Sequence, residues 1–464
     1  MAFKIKPITI RLILMNFLQY AVWGAYLTSM GSFIGSAGMG KQVWLFYATQ
    51  GFVSIFMPAL MGIVADRKIQ AQKTLALCHG LAAVFMVGLG LYAMGNVEVL
   101  ERATHDGGTM HYYSTLPSFK FAIFYILYLL SVAFYMPTIA ISNSVAYKCL
   151  EKEGMDTVKD FPPIRVFGTV GFICAMLFVN FVRDPNFFRF QHSYWQFFAS
   201  GVLGLILCVY GFTLPECPVN KKPDDGTIMD KLGLSAFKLF KQPQFAIFFI
   251  FSMLLGASLQ ITNGYANMYI SSFRMSPDPA IAASWGAQNA NALISLSQVS
   301  EVLCILLIPF CMKKFGIKKV MLIAMFAWVF RFGFFGLGNP GSGVWLFILS
   351  CIVYGVAFDF FNISGSLYVN ENTDKSIQSS AQGLFMLMTN GLGASIGTWA
   401  AGLVVNHYVM EPMRILRENP AADVATHWDT AWYVFAGYAL VVGILFMILF
   451  KDPEKQKKAA AQKA

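Results

Sequence analysis

The sequence predicts an all-α membrane protein, with twelve transmembrane helices in two six-helix domains. Three observations predict it. Of the 464 residues, 57% are hydrophobic and only 12% charged, whereas soluble domains carry about 45–50% apolar and about a quarter charged residues. Apolar runs of at least ~18 residues, each enough to cross a ~30 Å hydrocarbon core as helix, recur along nearly the whole chain. Basic residues crowd into alternate connections between those runs. The alternating strands of about ten residues that a spanning barrel needs are not found.

The runs place spans at 8–36, 42–65, 72–94, 118–147, 161–183, 193–214, 243–272, 284–311, 317–337, 344–370, 377–408 and 428–450. Connections on the side of the two termini hold Lys4, Lys6, Arg67, Lys68, Lys73, Lys148, Lys152, Lys159, Lys313, Lys314, Lys318 and Lys319, with further lysines in 216–242 and in the tail. The opposite side has a thin scatter, Lys41, Arg102, Lys120, Arg183, Arg189, Arg274, Arg414 and Arg417. By the positive-inside rule both termini are expected in the cytoplasm. The formal charge of +10 is thus a topology signal, and no nucleic-acid partner is expected. The opening segment has the positive start of a signal peptide, but its apolar part is too long and no small-residue cleavage site ends it, so it reads as the first span. The eight cysteines form no C-x-x-C pair and lie outside the exterior loops, which supports neither a disulfide framework nor a zinc site.

Residues 216–242, ECPVNKKPDDGTIMDKLGLSAFKLFKQ, interrupt the pattern as a charged cytoplasmic linker between an N-terminal domain (1–215) and a C-terminal domain (243–451). Residues 452–464 read as a disordered cytoplasmic tail. Both halves put a basic turn after their second span, MGIVADRKIQAQK and IPFCMKKFGIKKV, which suggests two repeats of one unit.

Ionisable residues inside spans are rare and face a bundle interior or a wet cavity. Here they are Glu301, Arg331 and Asp359, with Arg165 nearer a cytoplasmic end. Asp359 is the only charged residue in VWLFILSCIVYGVAFDFFNISGSLYV. Its position and that of Arg331, each about fourteen or fifteen residues into a span at 1.5 Å per residue, put both near the mid-plane. The expectation is that they pair in one state and part in another, so that Asp359, with Glu301, binds and releases a proton. None of the histidines lies clearly mid-span, so carboxylates are the expected proton carriers. Gln260 and Asn263 share a helix face, as do Gln298 and Glu301. Arg165, Thr169 and Phe172 form a stripe, as do Asn16, Gln19, Tyr20 and Trp23, and Tyr354 and Phe358 adjoin Asp359. Amides, hydroxyls, carboxylates and aromatic faces suit a neutral, polar, partly planar solute, although single amides also serve merely to bond neighbouring helices.

Together LQYAVWGAYLTSMGS, MPALMGIVADRK, DFPPIRVFGTVGF, FFIFSMLLGASLQITN, ISLSQVSE, VYGVAFDFFNISGS and AQGLFMLMTNG resemble the bacterial nucleoside:proton symporter family of the major facilitator superfamily, from about residue 8 to 451. The resemblance implies inward carriage of nucleosides with protons, by alternating access, in the bacterial inner membrane. It implies a nucleoside site made by Arg165, Thr169, Phe172, Gln260, Asn263, Gln298, Glu301, Tyr354 and Phe358, beside Asp359. The exterior segments 95–117 and 409–427 are longer than the family's pattern, and the second basic turn is degenerate.

The expected partners are a nucleoside, protons and the lipid bilayer, with the protein a monomer and no cofactor or metal involved. No phosphate-cradling G-x-x-x-x-G-K-[ST] loop is present, which disfavours ATP-driven transport. An enzyme is disfavoured because no nucleophile–base pair or metal cluster lies within the spans. A sugar:proton symporter of the same fold and a non-transporting nucleoside sensor are the alternatives.

Overall fold

In hydrocarbon a backbone must satisfy its own polar groups, and a helix does this within one segment. The computed structural model accordingly shows helix along most of the chain. It describes residues 6–103, 109–219, 234–373, 377–418 and 424–452. Among these, ten helices are long and apolar enough to cross a membrane. The other two expected spans are helical but differ in form. The span at 8–36 is an 18-residue helix, Pro7–Gly24, that stops before a turn. The span at 377–408 is divided into Gln378–Met386, a π-type stretch Leu387–Gly393, and Ala394–Val405.

The chain forms two units, Met1–Asp225 and Gly226–Ala464. The first contains α1 (Pro7–Gly24), α2 (Val43–Arg67), α3 (Ala71–Asn96), a hairpin of β1 (Val97–Ala103) and β2 (Thr109–Thr115), α4 (Phe121–Lys152), α5 (Thr157–Phe181) and α6 (Trp195–Thr213). Pro7 opens α1 where a missing N–H costs nothing. Around one end of this unit Leu12, Met15, Leu75, Val145, Ile164 and Leu207 pack into a buried core. The α1–α5 contact is close because Gly171 has no side chain: a Cβ there would lie 2.1 Å from the Phe17 carbonyl oxygen.

The segment 95–117, expected as a long exterior loop, contains the antiparallel hairpin, in register from Val97 opposite Thr115 to Ala103 opposite Thr109. Asp184 ties it down. One carboxylate oxygen accepts from the Tyr113 and Ser193 hydroxyls, each at 2.6 Å, and the other from the Asn186 and Phe188 backbone N–H groups, each at 2.9 Å.

The second unit holds α7 (Pro243–Ser272), α8 (Ala290–Phe315), α9 (Ile317–Leu337), α10 (Val344–Asn372), α11 (Gln378–Met386), α12 (Ala394–Val405), α13 (Glu411–Glu418) and α14 (Trp428–Leu449). The basic turn CMKKFGIKKV is a single residue wide. Gly316, at φ +75°, ends α8, and α9 starts at the next residue. Lys313 and Lys314 lie in the last turn of α8, where cations complement the helix dipole. Segment 409–427 includes α13, in which Arg414 bonds Glu411 and Glu418.

On α8 the exposed side chains Leu303, Leu306, Leu307 and Phe310 recur at helical spacing, an apolar stripe too continuous for water. The chain is a multi-pass membrane protein. Of the expected linker, 220–233 lie outside the described residues, and Leu234–Lys241 is a 3-10 helix. Residues 453–464 of the expected tail lie outside as well, as do the side chains of Asp66 and Arg67 in the GIVADRK turn.

Candidate functional site

In the first unit the stripe on α5 meets the stripe on α1. The Arg165 guanidinium carbon sits 3.9 Å from the centroid of the Tyr20 ring, a cation–π contact. Phe172 packs edge-on against Trp23, centroids 6.3 Å apart, and Trp23 also meets Tyr135. Thr169 and Phe172 are buried and Arg165 half-buried. The predicted stripe on α1 divides its work. Asn16 donates back to its own helix at Leu12, and Gln19 turns to Thr138 and His79. Only Tyr20 and Trp23 join the α5 residues.

In the second unit α10 lies directly on α8. A Cβ at Gly355 would come 2.6 Å from the Ser300 carbonyl, and the Ser300 hydroxyl donates to the Ile352 carbonyl. This contact sets Tyr354, Phe358 and Asp359 beside Gln298 and Glu301. Gln298, Glu301, Arg331 and Asp359 all lie near the Tyr354 hydroxyl. Tyr354 and Phe358 stack one turn apart, centroids 6.0 Å and planes 14° apart. Asp359 is buried, and Glu301 half-buried.

Arg331 is fully buried. Its guanidinium donates to Ser297 Oγ at 3.1 Å and lies over the rings of Phe335 and Tyr354 at 4.6 and 5.0 Å. Tyr354 is therefore the side chain common to the arginine and the two carboxylates. On α7, Asn263 Nδ2 approaches Gln260 Oε1 at 3.5 Å, a weak bond that leaves both amides largely available. Each unit carries a different set of groups. The first unit offers a cation and aromatic planes, and the second offers amides, stacked rings and carboxylates.

Sequence reasoning missed several groups. Ser297, the partner of Arg331, has no signal beyond being one residue before Gln298. Asn267 and Asn291 form a buried amide pair between α7 and α8 at 2.8 Å. Their helical position was available, but their pairing was not. His79, whose place in the sequence is not clearly mid-span, is fully buried and bonded to Gln19.

Residues 6–93 and 98–455 match the family described as Nucleoside H+ symporter. The chain belongs to this family. Among its relatives, the chain is 42% identical to the xanthosine permease of Escherichia coli (strain K12), covering 98% of this chain and 99% of that one. It is 40% identical to the nucleoside permease NupG of the same organism, covering 95% and 96%. The crystal structure of nucleoside transporter NupG superposes with a TM-score of 0.79 at 38% identity, covering 96% of this chain and 100% of that one. The D-xylose-proton symporter shares the fold, with a TM-score of 0.63 at 14% identity over 96% and 98% of the two chains.

Proposed function

We infer that this nucleoside H+ symporter imports nucleosides across the bacterial inner membrane, driven by protons moving inward. The chief support is a family match over nearly the whole chain that includes a buried Asp359 set with Glu301 beside Tyr354. In this reading Arg165, Thr169 and Phe172 from the first unit, and Gln260, Asn263, Gln298, Glu301, Tyr354 and Phe358 from the second, bind the nucleoside. Amides and Glu301 hold ribose hydroxyls or base edges, and aromatic faces stack on the base. Asp359, with Glu301, takes up and releases the proton, and Arg331 biases that exchange through Tyr354. The arrangement has twelve spans, cytoplasmic termini, a cytoplasmic linker at 216–242 and a monomeric protein.

One proton moving down 100 mV supplies about 2.3 kcal/mol, enough for roughly fifty-fold accumulation of a neutral solute. The test is uptake of labelled uridine and adenosine into vesicles, with and without an imposed proton gradient, for the wild type and Asp359→Asn. The expected result is gradient-dependent accumulation that the variant loses while keeping nucleoside exchange. Undiminished accumulation by Asp359→Asn would overturn its role. Competition by disaccharides in place of nucleosides would move the substrate to sugars, and binding without flux would indicate a sensor.

A further inference from the structure

Gln19 reaches from α1 to two other helices of the first unit. Its Nε2 donates to Thr138 Oγ1 at 2.7 Å, and the Thr138 hydroxyl donates onward to the Tyr135 carbonyl at 2.6 Å. That direction leaves Gln19 Oε1 facing His79 Nε2 at 2.7 Å. An amide oxygen only accepts, so the hydrogen sits on His79 Nε2, and in a neutral imidazole Nδ1 is then an acceptor. Among the described residues, Nδ1 meets no protein donor and the hydroxyl of Tyr26 meets no protein partner. Both residues are fully buried, and both line a cavity of about 10 Å³ together with Ser131, Tyr135 and Ser200. That volume is about the least that admits a single water, and buried polar atoms are rarely left unmet.

The backbone of Gln19 is held as well, because the Tyr135 hydroxyl donates to its carbonyl at 2.8 Å. The next residue is Tyr20, the ring beneath Arg165.

We propose that His79 is a positioning residue: bonded through Nε2 to Gln19, and through Nδ1 to one internal water shared with Tyr26, it fixes the part of α1 that presents Tyr20 to Arg165. The water accepts from the Tyr26 hydroxyl and donates to Nδ1, so each unmet atom gains a partner of the right polarity. Glutamine at position 79 can imitate this arrangement, with one N–H for Gln19 and one oxygen for the water. Alanine can do neither. The consequence for transport rests on the functional reading above, but the positioning itself does not.

The experiment has two arms, run on the wild type, His79→Ala, His79→Gln and Gln19→Ala. Experimental structures at a resolution that shows single waters are expected to place a water between His79 and Tyr26 in the wild type. The Tyr20–Arg165 stack is expected to be lost in His79→Ala and Gln19→Ala and kept in His79→Gln. In the second arm, KM for uridine uptake, measured per folded transporter, rises about tenfold in the two alanine variants, as expected for losing one buried hydrogen-bonded tie. It stays within about twofold of wild type in His79→Gln. A dry cavity, or a Tyr20–Arg165 stack intact in both alanine variants, overturns the proposal whatever the protein carries. If His79→Ala does not fold, Gln19→Ala decides. A wild type that moves neither uridine nor adenosine refutes the functional reading, and the first arm still decides the positioning.

Discussion

Arg331 lies across Tyr354, its guanidinium carbon 5.0 Å from the ring centroid, and donates to Ser297 Oγ on the neighbouring helix. A planar cation suits a slot between two rings and a hydroxyl, and lysine, a compact and strongly hydrated charge, does not. Arg331→Lys should therefore fail to replace arginine. Gradient-driven uridine accumulation should fall roughly thirtyfold, since a cation–π contact in a desolvated site is worth about 2 kcal/mol. Retention of wild-type accumulation ratios in vesicles would remove Arg331 from the coupling role.

Gly355 should be sensitive to a single methyl group. Alanine there drives Cβ into the Ser300 backbone, and overpacking of this kind costs about 1–3 kcal/mol. Because the contact also sets Tyr354 and Asp359 beside Gln298 and Glu301, both Tm and uridine affinity should drop. Gly437 is the control. Nothing lies within 4 Å of a Cβ there, so Gly437→Ala should leave Tm unchanged or raise it. Equal melting temperatures for the two variants would contradict the close α8–α10 contact.

Asp184→Asn should loosen the β1–β2 hairpin without touching the proposed nucleoside residues. The substitution removes the charge from four hydrogen bonds, and charge-assisted bonds contribute about 1.5–3 kcal/mol each. Faster amide exchange across Val97–Ala103 and Thr109–Thr115, with uridine KM unchanged, is the expected pattern. Unchanged exchange would show that the strand pairing holds the hairpin without help.

The same clasp should open in alkali. Burial, together with the hydrogen bond and charge of Asp184, holds the Tyr113 hydroxyl well above the ordinary tyrosine range, although the Asn186 bond opposes this. A group whose pKa is raised on folding binds more protons folded than unfolded, so stability falls as pH rises. The contribution is complete below pH ~10, the unfolded tyrosine value, and is lost as pH climbs toward the folded one. Hairpin exchange rates, corrected for intrinsic chemistry, should rise above pH ~10 in the wild type and stay flat in Tyr113→Phe. A flat wild-type profile would be evidence against the clasp.

Much of the architecture was legible because hydrocarbon selects on composition: a run of apolar residues long enough to cross must be helix. Stripes within one helix were legible for a similar reason. Arg165, Thr169 and Phe172, or Tyr354 and Phe358, need only the helical repeat to be placed on one face. Contacts between helices were not legible. Tyr20 under Arg165, Ser297 against Arg331, and the Asn267–Asn291 pair each depend on how two rods are rotated about their own axes, which spacing along the chain does not encode. His79 shows the same limit. Its place near the start of α3 says nothing about the Gln19 that reaches it from α1. The strands of the hairpin are short and in polar company, so neither apolar length nor position marked them as structured.

The contact between Arg165 and Tyr20 has an electrical corollary. A ring attracts a cation through its quadrupole and leaves the net charge in place, whereas a carboxylate would cancel it. A solute arriving at this face, on the reading proposed above, meets a cation held by a ring and can slide its own π surface alongside. Recognition there should therefore vary little with ionic strength, since dissolved salt weakens attraction between opposite charges far more than it weakens stacking.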